Sequence, residues 1–140
     1  MKIKIKRIGN GILPEYKREG DACLDCYARC DEVMVLKPKD RVMIPLGFAL
    51  ELPEGYEAVI RPRSGLSKNG IDSCIGTIDA NYRGELNAIL INNSDEHFVV
   101  SDGMRICQIS VRQTLKVEWN VVDELNESNR GENGFGSTGV

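Results

Sequence analysis

Apolar and polar residues alternate with a two-residue period along most of this chain, and turn sequences interrupt the alternation roughly every ten residues. Such alternation places successive side chains on opposite faces of a strand. Helical periodicity is scarce, and only residues 64–69 predict a short helical turn. Short strands separated by frequent turns are typical of a β-sandwich or β-barrel. The pattern predicts strands over residues 3–8, 22–28, 41–44, 48–52, 56–61, 75–78, 86–91, 104–111 and 115–122.

Length and composition predict one domain followed by a strap. The chain has 140 residues, 41% of them hydrophobic, which is enough for a single core. From residue 126 onward the sequence becomes polar and glycine-rich, and such segments are usually flexible. We therefore expect an all-β, barrel-like body over residues 1–125 and a flexible, glycine-rich strap over residues 126–140.

Charge and hydropathy weigh against nucleic-acid and membrane binding. The net charge is −3 with no basic block, whereas proteins that bind duplex nucleic acid carry a basic face. No apolar run approaches the length that spans a bilayer, and residues 1–7 alternate charged and apolar side chains instead of forming a signal-peptide core. A cytoplasmic location is expected, and there the five cysteines, an odd number, would be free thiols.

The spacing of Cys23, Cys26 and Cys30 raises the question of a zinc site. Structural zinc takes four ligands. This segment offers no fourth ligand, and the single histidine, His97, is distant in sequence. A zinc site is therefore not expected.

The sequence Arg61-Pro62-Arg63-Ser64-Gly65 ends a predicted strand and carries groups suited to an anion. Arg63, Ser64 and the Gly65 amide together offer a guanidinium fork, a hydroxyl and a backbone N–H. Arg61 and Arg63 face the same side of an extended chain, because they are two residues apart. The alternative is a surface turn with two solvated arginines.

Residues 76–85 are interpreted as a β-hairpin, because one predicted strand enters the segment and another leaves it. Asp79 would lie at the turn, where an exposed carboxylate can orient a water molecule. Tyr82 can pack flat on a sugar. The alternative is that Asp79 caps its own turn, which is a common role for aspartate.

Two apolar strands contain polar residues that need partners. A carboxylate at Asp25 is costly unless it is paired, either with an arginine in a salt bridge or through water around a metal. Simple alternation places Arg105 and Cys107 on one face of their strand and Ile106 and Gln108 on the other. Gln108 needs a hydrogen-bond partner, unless it faces water at a sheet edge.

The last eleven residues combine glycines with groups that a plain linker does not need. Arg130 offers donors for phosphate, and Phe135 offers a face for stacking on a base. Closely spaced glycines let backbone N–H groups approach anionic oxygens. The segment is interpreted as a strap that orders over a nucleotide phosphate, and the alternative is a disordered tail.

Taken together, these segments resemble the trimeric dUTP pyrophosphatase (dUTPase) family, whose five motifs occur in order over nearly the whole chain. The first motif of the family usually has glycine where this chain has Cys23 and leucine where it has Cys26. The resemblance implies a jelly-roll-like β-barrel subunit, a homotrimer with active sites at subunit interfaces, and hydrolysis of dUTP to dUMP and pyrophosphate. That reaction supports dTTP synthesis and keeps uracil out of DNA. The motifs lie at residues 21–28, 62–67, 76–85, 102–108 and 130–139.

The resemblance also implies roles for individual residues. Asp79 would orient the water that attacks the α-phosphorus, Tyr82 would exclude a ribose, and Asp25 and Arg105 would support the site. Mg²⁺ would be held by the substrate phosphates and by waters, near Asp25, without a direct protein ligand. The uracil and deoxyribose would be bound by Gly76, Thr77, Ile78, Asp79, Tyr82 and Phe135, and the phosphates by Arg63, Ser64, Gly65, Gln108, Arg130, Gly136, Ser137 and Thr138.

Two other functions remain open on the sequence alone. A dCTP deaminase has the same fold, although that family does not end in the segment found at 130–139. A dUTP-binding regulatory protein on this fold is the second alternative. Products formed from dUTP and from dCTP separate the enzymes, and binding without turnover marks the regulatory protein.

Overall fold

The computed structural model describes residues 1–132, and the regular secondary structure of this range is almost entirely β-strand. A short helix, α1 (Ser64–Ser67), follows the sixth strand at the position where a helical turn is predicted. The strands of this range are β1 (Lys4–Arg7), β2 (Leu24–Tyr27), β3 (Met34–Leu36), β4 (Arg41–Pro45), β5 (Phe48–Glu51), β6 (Tyr56–Arg61), β7 (Ile71–Ser73), β8 (Gly76–Ile78), β9 (Asn87–Asn92), β10 (Phe98–Val100) and β11 (Arg105–Gln113).

Strands that are distant in sequence pair with one another in antiparallel sheets. Within residues 1–132 the strand orders are β2–β11–β6–β8, β4–β9–β7, β1–β5 and β3–β10. The chain therefore passes repeatedly from one sheet to another, as expected for a jelly-roll-like barrel. The predicted all-β fold class is confirmed.

Alternation along the strands builds one hydrophobic core between the sheets. In β9, for example, Ala88 and Leu90 are buried, whereas Ile89 between them is exposed. Phe48 and Ile44 are also fully buried. Burial of one such side chain stabilises the fold by about 1.5–3 kcal/mol.

The strand predicted at residues 115–122 is wrong. The described chain forms no strand after β11, and alternate apolar side chains of this segment, such as Leu115 and Trp119, are 92% and 83% exposed. The segment has the alternation of a strand, but within residues 1–132 no sheet edge pairs with it. A strand needs both a pattern and a partner.

The hairpin predicted at residues 76–85 is also wrong. β8 pairs with β6, whereas β9 pairs with β4 and β7. Residues 79–86, which we call the 79–86 loop, therefore connect two different sheets. The loop begins with a turn in which the Tyr82 N–H donates to the Asp79 carbonyl oxygen over 3.1 Å.

A β-bulge breaks the simple alternation predicted for residues 105–108. The register between β11 and β2 shifts between Arg105 and Cys107, and a bulge sets two residues opposite one. Ile106 and Cys107 are consequently both buried. Arg105 does not share a face with Cys107, and it reaches the same carboxylate, Asp25, that lies opposite Gln108.

The helix content and the cysteines of the described residues bear on two further expectations. Among residues 1–132, no helix has both the length and the hydropathy needed to cross a membrane. All five cysteines lie in this range and are free thiols, as predicted.

Candidate functional site

A cleft of about 730 Å³, which we call the basic cleft, lies where β2, β6 and β11 meet the start of α1. It contains five cationic side chains and only two carboxylates. An electropositive concave surface of this kind favours an anionic ligand. The lining residues are Lys17, Arg18, Asp21, Ala22, Cys23, Asp25, Arg61, Arg63, Ser64, Gly65, Arg105 and Gln108.

Strand register places three of these residues in one row. Gln108 of β11 lies directly opposite Asp25 of β2 on one side and Arg61 of β6 on the other. Directly opposed residues point to the same face of a sheet, with Cβ atoms about 4.5–5.5 Å apart. A carboxylate, an amide and a guanidinium are thus presented side by side.

Asp25 holds two arginines in place. Arg63 Nε donates to Oδ1 of Asp25, and Arg105 Nη1 donates to Oδ2, each over 3.0 Å. Arg63 Nη1 also donates to the Arg105 carbonyl oxygen over 3.2 Å. The side chain of Asp25 is only 15% exposed, so these charge-assisted bonds offset the cost of its burial. Of the two partners that the sequence left open for Asp25, the structure shows arginine.

Gln108 joins the sheet to the turn before α1. Its Nε2 donates to the Pro62 carbonyl oxygen over 2.7 Å, which supplies the partner that an amide in an apolar strand requires. The helix begins at Ser64, and the first N–H groups of a helix have no acceptor within it. Ser64 and Gly65 therefore present backbone donors and a hydroxyl at the rim of the cleft.

A second cluster on this rim was not predicted from the sequence. Tyr27 donates its hydroxyl to Glu15 over 2.6 Å, and Lys17 forms a salt bridge with the same carboxylate. The hydrogen bond between Lys17 and Glu15 lowers the pKa of the Glu15 carboxyl group and raises the pKa of the Lys17 amine. Lys17 also lies over the Tyr27 ring, 5.4 Å from its centroid. The only sequence signal was the pair of cations, Lys17 and Arg18, just before the first motif.

A smaller cavity of about 220 Å³, which we call the loop cavity, lies against β8 and the 79–86 loop. Asp79 is exposed there, and among the described residues nothing hydrogen-bonds to its carboxylate. It also borders a neighbouring cavity of about 510 Å³. Gly76 begins β8, just before the lining starts. The residues of the loop cavity are Thr77, Ile78, Asp79, Tyr82, Glu85, Leu86 and Asn87.

The 79–86 loop is fastened at its end by a salt bridge. Glu85 accepts hydrogen bonds from Arg29 Nε and Nη2 over 2.9 and 3.1 Å, and from the Gly47 N–H over 3.0 Å. The hydrogen bond to Glu85 raises the pKa of Arg29. Tyr82 donates its hydroxyl to the Glu85 carbonyl oxygen over 3.2 Å, which orients the ring. Sequence reasoning missed Arg29, because nothing in its local pattern indicates a partner that lies 56 residues away.

One chain does not bring all the predicted residues together. The basic cleft and the loop cavity share no lining residue within residues 1–132. Arg130 lies in the exposed segment after β11 and, in the described chain, lines neither of them. Four further predicted residues, Phe135, Gly136, Ser137 and Thr138, lie outside the described residues.

The donor set around Asp25 fits a metal ion that arrives with an anionic ligand. Within residues 1–132 there is no group of three or more His, Cys, Asp or Glu residues that could hold a metal by itself. Both carboxylate oxygens of Asp25 already accept arginine N–H groups. Mg²⁺ keeps several waters and binds readily to phosphates, so Asp25 suits the outer hydration shell of such an ion.

Comparison with known proteins identifies the family. The dUTPase family model matches residues 9–139. A deoxyuridine 5'-triphosphate nucleotidohydrolase of Orientia tsutsugamushi (strain Ikeda) is 45% identical over 147 residues, covering 100% of this chain and 99% of the relative. One from Finegoldia magna is 44% identical, with 99% of both chains covered. The solved structure of Staphylococcus bacteriophage 80alpha dUTPase with dUPNHPP has a TM-score of 0.91 at 27% identity, with 99% of both chains covered. The chain belongs to the dUTPase family.

Proposed function

We propose that this protein hydrolyses dUTP to dUMP and pyrophosphate by attack of water on the α-phosphorus. The observation that carries the proposal is the exposed, unpartnered carboxylate of Asp79 on the loop cavity, in a chain of this family. A carboxylate in that position can orient a water molecule and accept its proton. The water oxygen forms a bond to the α-phosphorus, the bond to the α–β bridging oxygen breaks, and pyrophosphate leaves with that oxygen.

Phosphoryl transfer depends mainly on positioning and charge stabilisation. We assign the phosphate chain to the basic cleft, where Arg63, Ser64, Gly65 and Gln108 offer donors from fixed positions. Asp25 and Arg105 hold Arg63 in its orientation. Mg²⁺, bound through the phosphates and waters near Asp25, would supply additional positive charge against the triphosphate.

We assign the nucleoside to the loop cavity. Backbone groups of Gly76, Thr77 and Ile78 are proposed to read the uracil edge, and the Tyr82 ring is proposed to pack under the deoxyribose. The cavity volume of about 220 Å³ suits a nucleoside better than a whole triphosphate. The ring of Tyr82 would leave no room for a ribose 2′-hydroxyl.

We propose that complete active sites form between subunits of a homotrimer. In support, one chain separates the loop cavity from the basic cleft within residues 1–132. Exposed apolar side chains on strand-like residues 115–122 also suit a partner surface, because alternating apolar residues this exposed are unusual on a monomer. The strap at 126–140 is proposed to close the site, with Arg130, Gly136, Ser137 and Thr138 on the phosphates and Phe135 on the uracil.

A cytoplasmic location and the absence of nucleic-acid and membrane partners are part of the same proposal. They rest on the net charge of −3 without a basic block and on the alternating residues 1–7.

A panel of nucleotides with pyrophosphate detection tests this function. Purified protein is incubated with dUTP, dCTP, dTTP and UTP, with Mg²⁺ and with a chelator. We expect pyrophosphate and dUMP from dUTP, little from the other nucleotides, and a large loss when Mg²⁺ is removed. Ammonia from dCTP without pyrophosphate from dUTP would favour the deaminase. Tight dUTP binding without turnover would favour a regulatory protein.

A further inference from the structure

We infer that Arg61 is a second phosphate-binding arginine of the basic cleft, acting beside Gln108 on the triphosphate chain. The inference rests on the proposed function, which makes a nucleoside triphosphate the ligand of this cleft. It adds to the phosphate site a residue that lies outside the predicted set.

The first support is the position of Arg61 in the sheet. Arg61 ends β6 directly opposite Gln108, which is itself opposite Asp25. The three side chains therefore occupy one row on one sheet face, and all three line the basic cleft. A ligand that contacts Gln108 lies within reach of a guanidinium one strand away.

The second support is the charge balance of the arginines and the carboxylate in the basic cleft. Arg63 and Arg105 share the single carboxylate of Asp25, so these three groups together leave one net positive charge. Arg61 is exposed and has no ion pair or hydrogen bond through its side chain among residues 1–132. Its charge remains available to an incoming anion.

Another arginine on this face of the two strands has an acidic partner, which Arg61 lacks within the described chain. Arg112 of β11 lies directly opposite Glu57 of β6, and the two side chains form a salt bridge of 3.3 Å. Arg61 lies further along the same face of β6. The residue opposite it on β11 is Gln108, whose amide is neutral. That amide is already committed to the Pro62 carbonyl oxygen.

The chemistry of the side chain fits phosphate. A guanidinium donates two parallel N–H bonds to an anionic oxygen pair and stays charged at all physiological pH values. Arg63 uses its Nε on Asp25 and its Nη1 on a carbonyl oxygen, so much of its fork is occupied. The unoccupied fork of Arg61 can contact phosphate oxygens in a bidentate manner.

The test compares Arg61→Gln with the wild-type protein in binding and in turnover. We expect Arg61→Gln to weaken binding of dUPNHPP and of inorganic pyrophosphate about tenfold to a hundredfold, measured by calorimetry, because a charged hydrogen-bond pair is lost. Binding of deoxyuridine, which has no phosphate, should be unchanged. Added salt should weaken pyrophosphate binding more in the wild type than in the variant.

Arg112→Gln is the matched control, since it removes an arginine from the same face whose charge is already neutralised by Glu57. Its pyrophosphate affinity should stay within about twofold of wild type. Arg61→Ala must reproduce the loss seen in Arg61→Gln, with the melting temperature of each variant checking the fold. Equal pyrophosphate affinity in the wild type and in a folded Arg61 variant would overturn the inference and leave dUTP hydrolysis untouched. Conversely, if the wild type releases no pyrophosphate from dUTP, the proposed function fails, and selective loss of pyrophosphate binding in Arg61→Gln would still support the role of Arg61.

Discussion

At Asp79, replacing the carboxylate by a carboxamide separates substrate binding from the chemical step. The side chain is exposed and makes no hydrogen bond within residues 1–132, so Asp79→Asn should leave the fold unchanged. An amide cannot accept the proton of the attacking water. We expect kcat for dUTP to fall about a hundredfold to ten-thousandfold, while the dissociation constant of dUPNHPP stays within about threefold.

Steady-state kinetics and titration calorimetry measure the two quantities. Asp95→Asn, at an exposed acid in the β9–β10 connection, is the control and should keep wild-type turnover. Wild-type kcat in Asp79→Asn would remove this carboxylate from the mechanism. A parallel loss of binding and turnover would make Asp79 mainly a binding residue.

Cys26 makes stability depend on pH in the alkaline range. It lies opposite Cys107 across β2 and β11, and both side chains are fully buried. The hydrogen bond with Cys107, together with burial, raises the pKa of the Cys26 thiol well above its usual value. The folded protein therefore retains a proton that the unfolded chain releases above about pH 8.5. This contribution to the free energy of unfolding is complete below that pH and is lost as the pH rises.

Urea unfolding between about pH 7 and pH 10 checks this dependence. The free energy of unfolding should decline toward high pH, and the decline should be shallower in Cys26→Ala even though that variant is less stable overall. Ile71→Val, which also weakens the core but removes no titratable group, should keep the wild-type slope. Equal slopes in Cys26→Ala and the wild type would contradict the assignment to Cys26.

At the scale of single residues, the sequence predicts a contact where burial of the unpaired side chain would cost free energy. A carboxylate in an apolar strand must be paired, so the arginine partners of Asp25 could be anticipated. The sequence alone assigns no role to Arg61, because that role depends on which residue of another strand lies opposite it. Register is a property of paired strands, and one strand's sequence does not reveal it.

Among the elements, the 79–86 loop supplies a test of sugar selection. A Cβ added at Gly84 would lie 2.3 Å from the hydroxyl oxygen of Tyr82 and 2.5 Å from the adjacent ring carbon. Gly84→Ala must therefore displace the Tyr82 ring without removing it. We expect the ratio of kcat/KM for dUTP to that for UTP to fall about tenfold, as in Tyr82→Ala.

Tyr82→Phe is the matched control for this loop. It keeps the ring and loses only the hydrogen bond to the Glu85 carbonyl oxygen, so discrimination against UTP should persist. An unchanged ratio in both Gly84→Ala and Tyr82→Ala would mean that the ribose is rejected elsewhere.

Alternation predicted the longer strands well, because one face of each is packed on the core. β6 matches its predicted bounds, β4 extends one residue beyond its prediction, and β9 is shifted by one residue at both ends. β3, β7 and β10 were missed: three residues display little of a period, although β8, which is equally short, was predicted. The sequence did not predict the bulge in β11 or that the 79–86 loop connects two different sheets. Both depend on pairing with distant strands.

For the whole molecule, the proposed function requires the loop cavity and the basic cleft of different chains to meet in one site. The 115–122 segment has no strand partner within residues 1–132: its alternation is that of a strand, yet Leu115 and Trp119 remain exposed. Asp79 and Arg63 are likewise separated within one chain, because they line different cavities. Sequence motifs predict which groups act together, but quaternary geometry decides which subunit would contribute each group.

Mixing two inactive variants tests whether the site is shared between subunits. Asp79→Asn lacks the carboxylate of the loop cavity, and Arg63→Ala lacks a guanidinium of the basic cleft. If neighbouring subunits of a trimer each contribute one of these groups, random co-assembly restores an intact pair at about a quarter of the sites. We therefore expect co-refolded mixtures to recover about a quarter of wild-type activity, measured by pyrophosphate release. A mixture of Asp79→Asn with Asp79→Ala should recover none, and no recovery in the first mixture, with trimers formed, would place both groups in a site made by one subunit.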